Sequence, residues 1–507
     1  MRLFIFAIGG TGSRVLKSLV MLSAAGVKPL DENGKPLKNF EIVPIIIDPH
    51  KSNEDLKRTE LLLSDYRMLR RKLYGEAVEA DGFFANKITL LSDILTDSSI
   101  MLNRTPVCNL AAVEQNKFRE YISYNTMNEP NQALTSLLFA DYQLENKMRI
   151  GFVGSPNIGS VALNQIKDSD EFKAFANVFN SGDRIFFVSS IFGGTGAAGF
   201  PILVKNIRHA EQLDVSNKEV LRKAPIGALT VLPYFNIEHN EDSRINKADF
   251  VVKTQSALHY YNKTLTNDSR YAINALYYVG DQVTSKPYVY DPGENGQKNR
   301  AHLVELVGAL SPLRFAGIAT DRLSDQYGNP LPTMAYEYGL EKDVTDLDFS
   351  AFGAETRRMI YKPLVKFHLL FLFLRTGLKG AIGRGFTEDA PKITSDIFAT
   401  EFYRVLDGQF MRSYVDWIGE MCDNMRSVHL FNIGDLNMNT VVNGVQTKKR
   451  SWPLGRASIS CDSFVAQMNK LSRDANAYKK GSEEYKLLDL FNKAAETLVD
   501  EKYENIN

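Results

Sequence analysis

A glycine-rich loop at residues 193–199 is the feature of this sequence with the clearest chemistry. It follows the apolar run at 185–191 and leads into a segment with helical spacing. Its small and hydroxyl-bearing residues are Gly193, Gly194, Thr195, Gly196 and Ala197. Because such a loop directs unpaired backbone N–H groups and the positive end of a helix dipole at one place, it favours phosphate. Glycine allows a close approach and threonine adds a donor. The alternative is a tight connection that binds nothing.

Two further loops repeat this arrangement. The first loop follows the apolar run at 3–8 and contains Gly10, Thr11, Gly12 and Ser13, and the loop at 193–199 is called the second loop. The third loop lies at 154–160, begins with Gly154 and Ser155, and follows the apolar run at 150–153. Since parallel strands end at one edge of a sheet, the three loops are expected to converge on one crevice. The predicted ligand is a polyphosphate.

The elements that must position these loops alternate between strand-like and helix-like patterns. Buried strands are predicted from the apolar runs at 3–8, 42–47, 150–153, 185–191, 226–232 and 275–279. Helical spacing between these runs predicts connecting helices. The predicted fold class is therefore α/β, a mostly parallel sheet with helices on both faces.

The sequence predicts three domains, parts of which depart from that alternation. Residues 1–315 form a nucleotide-binding domain that carries a charged helical insertion at about 51–147. Residues 316–380 lead into a second domain and begin with a polar surface excursion at 318–345. Residues 381–507 mix helices with short strand-like pieces and form a divergent α+β C-terminal part.

Composition excludes several classes of protein. The 507 residues contain 60 Lys plus Arg and 60 Asp plus Glu, so no net charge attracts nucleic acid or anionic lipid. Three cysteines are too few for a disulfide framework or a four-cysteine zinc site, and the seven histidines have no paired ligand spacing. The most apolar run, at 369–374, is too short for a membrane span. We expect a cytoplasmic protein without a membrane segment.

The segment GDRIFFVSSIFGGTGAAGFP at 182–201 resembles the tubulin/FtsZ superfamily of GTPases, whose phosphate loop reads GGGTGTG or GGTGSG. The loop GSPNIGS is similar to the ANPEVG loop of FtsZ, and residues 226–238 resemble its GVVTKPFxFEG segment. Residues 301–317 resemble the tubulin helix NHLVSATMSGVTTCLRFPG. The resemblance implies a divergent prokaryotic tubulin-like protein that binds GTP or GDP with Mg²⁺.

The resemblance also implies individual roles. The first loop would hold phosphates, and Asp48 would lie near the γ-phosphate or its Mg²⁺. Glu238 lies where FtsZ contacts the ribose. Ala301 occupies the place of a guanine-reading asparagine, for which Asn299 could substitute. Asp48 could equally be a turn residue before Pro49, and Glu238 a solvated charge.

An acidic segment at 346–374 resembles the loop, helix and strand through which tubulins and FtsZ act on the nucleotide of the next subunit. Asp346 and Asp348 fall on the first two motif positions and Ala351 on the third. Because alanine cannot orient water, the resemblance implies slow or assembly-dependent GTP hydrolysis. The alternative is an acidic pair at a helix N-terminus, favoured by the helix dipole.

Three functions are consistent with these patterns. The first is a GTP-binding protein that assembles head to tail with itself into filaments. The second is a non-polymerising, nucleotide-gated sensor or scaffold in a bacterial multi-protein system such as antiviral defence. Its protein partners would bind the insertion at 51–147 and the C-terminal part. The third is an NAD-dependent Rossmann enzyme, suggested by GGTGSR, although that fingerprint lacks its third glycine.

Overall fold

A computed structural model gives the fold. It describes residues 1–95, 100–110, 113, 116–152, 154–234, 236–237, 247–268, 270–281, 287–288, 298–339, 344–448, 458–473, 478 and 481–504, with the backbone alone for 236–237, 247–250 and 287–288.

A parallel seven-stranded sheet forms the centre of the molecule, in the order β3-β2-β1-β4-β5-β7-β9. Its strands are β1 (Arg2–Ile8), β2 (Glu41–Ile47), β3 (Lys87–Ile88), β4 (Arg184–Ser190), β5 (Ile226–Val231), β7 (Ala275–Val279) and β9 (Met334–Tyr338). Two short parallel pairs lie outside it, β6 (Asn236–Ile237) with β8 (Pro287–Tyr288), and β10 (Asp346–Leu347) with β11 (Ser427–Val428). Every strand pair of the large sheet is parallel, so the predicted α/β fold class is confirmed.

Nineteen α-helices occur in the described ranges. Those up to the end of β5 are α1 (Gly9–Ala25), α2 (Glu54–Tyr74), α3 (Leu91–Ile94), α4 (Phe118–Tyr121), α5 (Glu129–Leu138), α6 (Asp141–Leu144), α7 (Pro156–Leu163), α8 (Asp170–Val178), α9 (Gly194–Arg208) and α10 (Lys218–Arg222). The later ones are α11 (Lys247–Tyr261), α12 (Leu303–Gly308), α13 (Leu310–Ala316), α14 (Ala354–Thr376), α15 (Leu378–Ala381), α16 (Glu401–Val405), α17 (Met411–Cys422), α18 (Cys461–Ser472) and α19 (Glu483–Lys502).

Helices cover both faces of the sheet, because successive side chains of β4 point in opposite directions. Phe186 packs against Phe315 of α13 with ring centroids 5.6 Å apart. Its neighbour Phe187 packs against Phe200 of α9 at 5.5 Å. All four rings are fully buried. Burial of each ring stabilises the folded state by roughly 1.5–3 kcal/mol. Because Phe186 and Phe187 face opposite sides of the sheet, β4 packs against a helix on each face.

The C-terminal helices join this core instead of forming a separate one. Phe367 of α14 contacts Phe83 and Phe84, which precede β3, at 5.5 and 5.8 Å. Phe491 of α19 stacks on Phe464 of α18 at 4.4 Å and contacts Phe83 at 6.4 Å. One continuous aromatic cluster therefore links the sheet to the last helices.

Two predicted boundaries differ in the first half of the chain. Residues 54–74 and 87–88 form α2 and β3, which belong to the sheet domain and not to an insertion. The charged residues misled the prediction, since α2 buries a stripe of apolar residues against α1 and leaves most of its charged residues, though not Asp55 and Arg70, at least partly exposed. The strand predicted at 150–153 does not form over the described residues 150–152. Met148–Ile150 form a 3-10 turn, which ends at Gly151 with φ of +83°, a left-handed conformation incompatible with strand pairing.

Two further differences lie after residue 315. The excursion at 318–345 contains β9, whose alternating exposure places Ala335 and Glu337 outside. The adjacent proline and glycine residues hid this period-two pattern. The resemblance implied a strand at the end of the segment 346–374, but residues 369–374 continue α14. Helices surround that segment, so an all-apolar helix is stable there, and periodicity alone cannot distinguish it from a buried strand.

Because two histidines are buried, we predict that the free energy of unfolding falls in acid. Burial lowers the pKa of His302 to about 4 and that of His368 to about 3. Between the unfolded pKa of about 6.5 and these values the unfolded chain binds protons that the folded chain does not, so stability falls as the pH falls. We expect His368→Phe to reduce the loss between pH 6.5 and 5 by about 2 kcal/mol. Urea unfolding at both pH values measures this, with exposed His259→Gln as the control. Equal pH dependence in H368F and wild type would contradict the prediction.

Candidate functional site

The first glycine loop joins β1 to α1 without a spacer. Gly9 has φ of +70°, which lets the chain turn directly into the helix. The N-cap residue of α1 is Ile8, whose side chain has no acceptor for the N–H groups of the first turn. A Cβ on Gly9 would lie 3.4 Å from the Cβ of Thr195, so the first and second loops touch.

The second and third loops also meet. A Cβ on Gly194 would lie 3.1 Å from the backbone nitrogen of Ser155 and 3.2 Å from that of Gly154. Helix α9 begins after Gly193, which has no side chain to cap it, and α7 begins with Pro156 after Ser155, whose hydroxyl does not cap it. Three helix N-termini without side-chain caps therefore converge, as the sequence predicted. The third follows a 3-10 turn and not a strand.

The loops differ in what each glycine does. Gly10, Gly154 and Gly193 are half-buried, so each loop is partly accessible at one glycine. Gly12 and Gly196 are buried by packing, because a Cβ would lie 2.6 Å from the carbonyl carbon of Ala7 and 2.8 Å from the oxygen of Ser190.

The predicted site residues of the loops that carry side chains, namely Thr11, Ser13, Ser155, Thr195 and Ala197, are buried. The hydroxyl of Thr11 accepts a weak hydrogen bond of 3.4 Å from Arg14. Ala197 belongs to the first turn of α9, and its N–H donates to Gly193.

A buried ionic network lies under the first loop. The guanidinium of Arg14, on α1, donates to Glu305 of α12 at 2.6 Å, to the hydroxyl of Tyr234 at 2.7 Å and to Asp55 of α2 at 3.2 Å. Arg58 bridges Asp55 at 2.7 Å to Glu420 of α17 at 2.5 Å. The network thus joins the first loop to a C-terminal helix.

Electrostatics keep Arg14 and Asp55 of this network charged. Burial alone would raise the pKa of Asp55, but Arg14, Arg58 and Asn299 outweigh it and the pKa is lowered. Burial opposes the charge of Arg14, yet Tyr234, Glu305 and Asp55 raise its pKa well above the ordinary value. The pKa of Glu305 is raised by burial, which contact with Arg14 offsets only in part. The carboxylate of Glu305 therefore depends on Arg14 for its charge.

The other predicted ligand residues are placed as follows. Asp48 is buried directly after β2, and its Oδ1 accepts the N–H of His50 at 3.0 Å, as a turn residue does. Ile47 pairs with Ile8, so Asp48 lies beside the first loop at the same edge of the sheet. Asn299 donates its amide to Asp55 at 2.7 Å. Glu238 lies outside the described residues.

The acidic pair lies at the same edge of the sheet as the glycine loops. Arg426 binds Asp281, two residues after β7, at 2.6 and 2.7 Å, and also donates to the carbonyl of Val344. Asp346 follows two residues later and accepts from Ser427 at 2.6 Å. Asp348 accepts from the N–H of Ser350 at 2.8 Å, as an N-cap. These contacts place Asp346 near the carboxyl end of β7, at the edge of the sheet that also carries the glycine loops.

Comparisons with known proteins give weak likenesses. No protein-family model and no curated protein matches the sequence. The chain is similar to CetZ2 from Haloferax volcanii, solved as a GTPγS-bound protofilament, with a TM-score of 0.25 and 14% identity over 55% of this chain and 49% of that one. For CetZ from Methanosaeta thermophila strain DSM 6194 the TM-score is 0.20 and the identity 12%, over 55% and 46%. This chain spans about half the length of each.

Two side chains beside the loops were not predicted from the sequence. The amide nitrogen of Asn53, the N-cap of α2, lies 3.3 Å from the position of a Cβ on Gly10. The ammonium of Lys253, on α11, donates to the carbonyl of Gly154 at 2.9 Å. No motif marks either residue. The helix-start pattern of Asn53 before Glu54 and Asp55 was the available signal for the first.

Two kinds of feature are absent from the described part of the chain, clusters of metal ligands and helices that could span a membrane. Across the described ranges, no three His, Cys, Asp or Glu side chains are grouped so as to hold a metal ion. Helices of the described part are all too short or too polar to cross a membrane.

Proposed function

We propose that this protein binds a nucleoside triphosphate, GTP, in the crevice between its three glycine loops. The observation that carries the proposal is the convergence of three helix N-termini whose N-cap side chains leave the first turn open, with Gly10, Gly154 and Gly193 at the opening. Backbone N–H groups and three helix dipoles aimed at one place stabilise a chain of phosphates. The choice of guanine rests on the resemblance to tubulins and FtsZ.

Individual residues would contribute in different ways. The first loop would hold phosphate oxygens, with the Asn53 amide as an additional donor. The carboxylate of Asp48 fits Mg²⁺, which proteins bind through one or two carboxylates together with phosphate oxygens. Bound Mg²⁺ would neutralise phosphate charge. For Asn299 to read the base, its amide would have to leave Asp55, and we propose that this exchange accompanies nucleotide binding.

Hydrolysis and self-assembly form the finer part of the proposal. Asp346 and Asp348 would act slowly on the protein's own nucleotide, since both lie at its own edge of the sheet. Head-to-tail association through the nucleotide face would then bury the loops. The next subunit would not supply acidic side chains that position the attacking water. Filament formation would therefore not be tied to turnover.

The sensor or scaffold reading is supported by a separate observation. Arg14 contacts the first loop through Thr11, and the chain Arg14, Asp55, Arg58, Glu420 reaches α17 through ion pairs of 2.5 to 3.2 Å. A ligand that moved the first loop would change this network. We propose that nucleotide binding is thereby reported to the C-terminal helices and to their protein partners.

Nucleotide binding by the wild-type protein is the first test. We expect GTP with Mg²⁺ to bind with micromolar or lower Kd, and ATP and NAD more weakly, by calorimetry with light scattering and phosphate release recorded in parallel. Binding without scattering or phosphate release favours the sensor, and scattering accompanied by slow phosphate release favours an assembling GTPase. If NAD binds and no triphosphate does, the proposal is wrong.

A further inference from the structure

Lys253 lies where the second and third loops meet. Its ammonium donates to the carbonyl of Gly154, at 2.9 Å, while the nitrogen of Gly154 is 3.2 Å from the Cβ position of Gly194. The side chain is half-buried and reaches the loop from α11, 99 residues further along the chain. An ammonium has three donors, so one bond to a carbonyl leaves two for other acceptors.

The charges under the first loop are already balanced. The three cations of the network, Arg14, Lys17 and Arg58, face three carboxylates, Asp55, Glu305 and Glu420. A triphosphate brings about four negative charges, which this neutral set cannot compensate without losing its own ion pairs. Bound Mg²⁺ would offset part of this charge, and a further cation at the loops would offset more of it.

Lys253 is positioned to supply that cation. In the described part of the chain no carboxylate forms an ion pair with it, and its acceptor is a neutral carbonyl. It is also half-buried, so its charge is less screened by water than that of a surface lysine. A phosphate oxygen at the opening beside Gly154 and Gly193 would lie next to this ammonium.

We propose that Lys253 is a phosphate-binding residue of the nucleotide site. It holds the third loop through the carbonyl of Gly154 and donates at the same time to phosphate oxygens of the bound nucleotide. This inference rests on the proposed function and adds to it the side chain that neutralises the phosphates. Since α11 carries it, phosphate binding would also fix α11 against the loops.

The test compares Lys253→Gln, Lys253→Arg and Lys263→Gln in the full-length protein. Lys263 is exposed on the π-helical turn Asn262–Thr266 and is the matched control. Titration calorimetry with GTP and GDP, and competition by guanosine, are done at two salt concentrations. Loss of one charge-assisted hydrogen bond predicts about 10- to 100-fold weaker GTP and GDP binding by K253Q, with a shallower salt dependence. Guanosine affinity should not change, and K253R and K263Q should bind like wild type.

The failures of the inference and of the proposed function are distinguishable. If wild type binds GTP and K253Q binds it equally well, the inference about Lys253 is wrong, and the proposed nucleotide site is supported. If K253Q weakens guanosine as much as GTP, Lys253 only holds the third loop. If wild type binds no triphosphate, the proposed function fails first. Thermal unfolding of each variant confirms that differences in affinity do not arise from misfolding.

Discussion

Replacing Gly194 by alanine is expected to weaken GTP binding by about 10- to 100-fold. The new Cβ would lie 3.0 Å from the Cβ of Phe152 and 3.1 Å from the nitrogen of Ser155, both closer than ordinary contact. Backbone atoms cannot rotate away, so the second and third loops must separate by several tenths of an ångström. A site built from backbone N–H groups tolerates shifts of only about 0.5 Å. Calorimetric titration with GTP and Mg²⁺ measures the loss.

Gly380→Ala is the control for this substitution. Gly380 lies in α15 with no heavy atom within 4 Å of its Cβ position, so alanine should leave binding unchanged and stability equal or slightly higher. For Gly194→Ala we expect a loss of stability of only about 1 kcal/mol, because the contacts are tight without severe overlap. A G194A variant that folds and binds GTP like wild type would show that the junction of the loops is not the phosphate site.

Local patterns in the sequence were sufficient for most of the sheet. The runs that became β1, β2, β4, β5 and β7 are apolar, short and bounded by turn residues, so composition and length identify them. The run at 150–153 has the same composition, but its described residues 150–152 do not form the predicted strand. The reason is that Gly151 takes a left-handed conformation, which no pattern of apolar residues indicates. The run at 369–374 forms helix where a strand was implied, because tertiary packing decides between the two structures.

The glycine loops were predicted for the same local reason, and their surroundings were not. A loop that follows a strand and opens a helix is a continuous piece of sequence. The partners of Arg14 are not, since Glu305 is 291 residues away and Tyr234 is 220. Nor does the sequence show that β9 pairs in parallel with β7 and so ends at the carboxyl edge of the sheet, near which Asp346 lies.

Removing the charge of Arg14 should cost more stability than any other change considered. Arg14→Met keeps the apolar part of the side chain and leaves Glu305 and Asp55 buried without their shared cation. Breaking one side of a buried ion pair costs about 3–5 kcal/mol, because the remaining charge is desolvated and uncompensated. Urea unfolding measures the change, and Arg322→Met is the control, since the Arg322–Glu32 pair at 3.2 Å is exposed and should matter by less than about 1 kcal/mol.

The same network makes a second, opposite effect measurable. Glu305→Gln in the Arg14→Met background removes the uncompensated charge, so the double variant should be more stable than Arg14→Met alone. A coupling free energy of about 1–3 kcal/mol between the two sites is expected for groups in direct contact. Additive effects would mean that Arg14 and Glu305 do not share their charge. If the coupling is present in the free protein and changes when GTP is bound, Arg14 connects the first loop to α12, and the network to Glu420 extends that connection to the C-terminal helices.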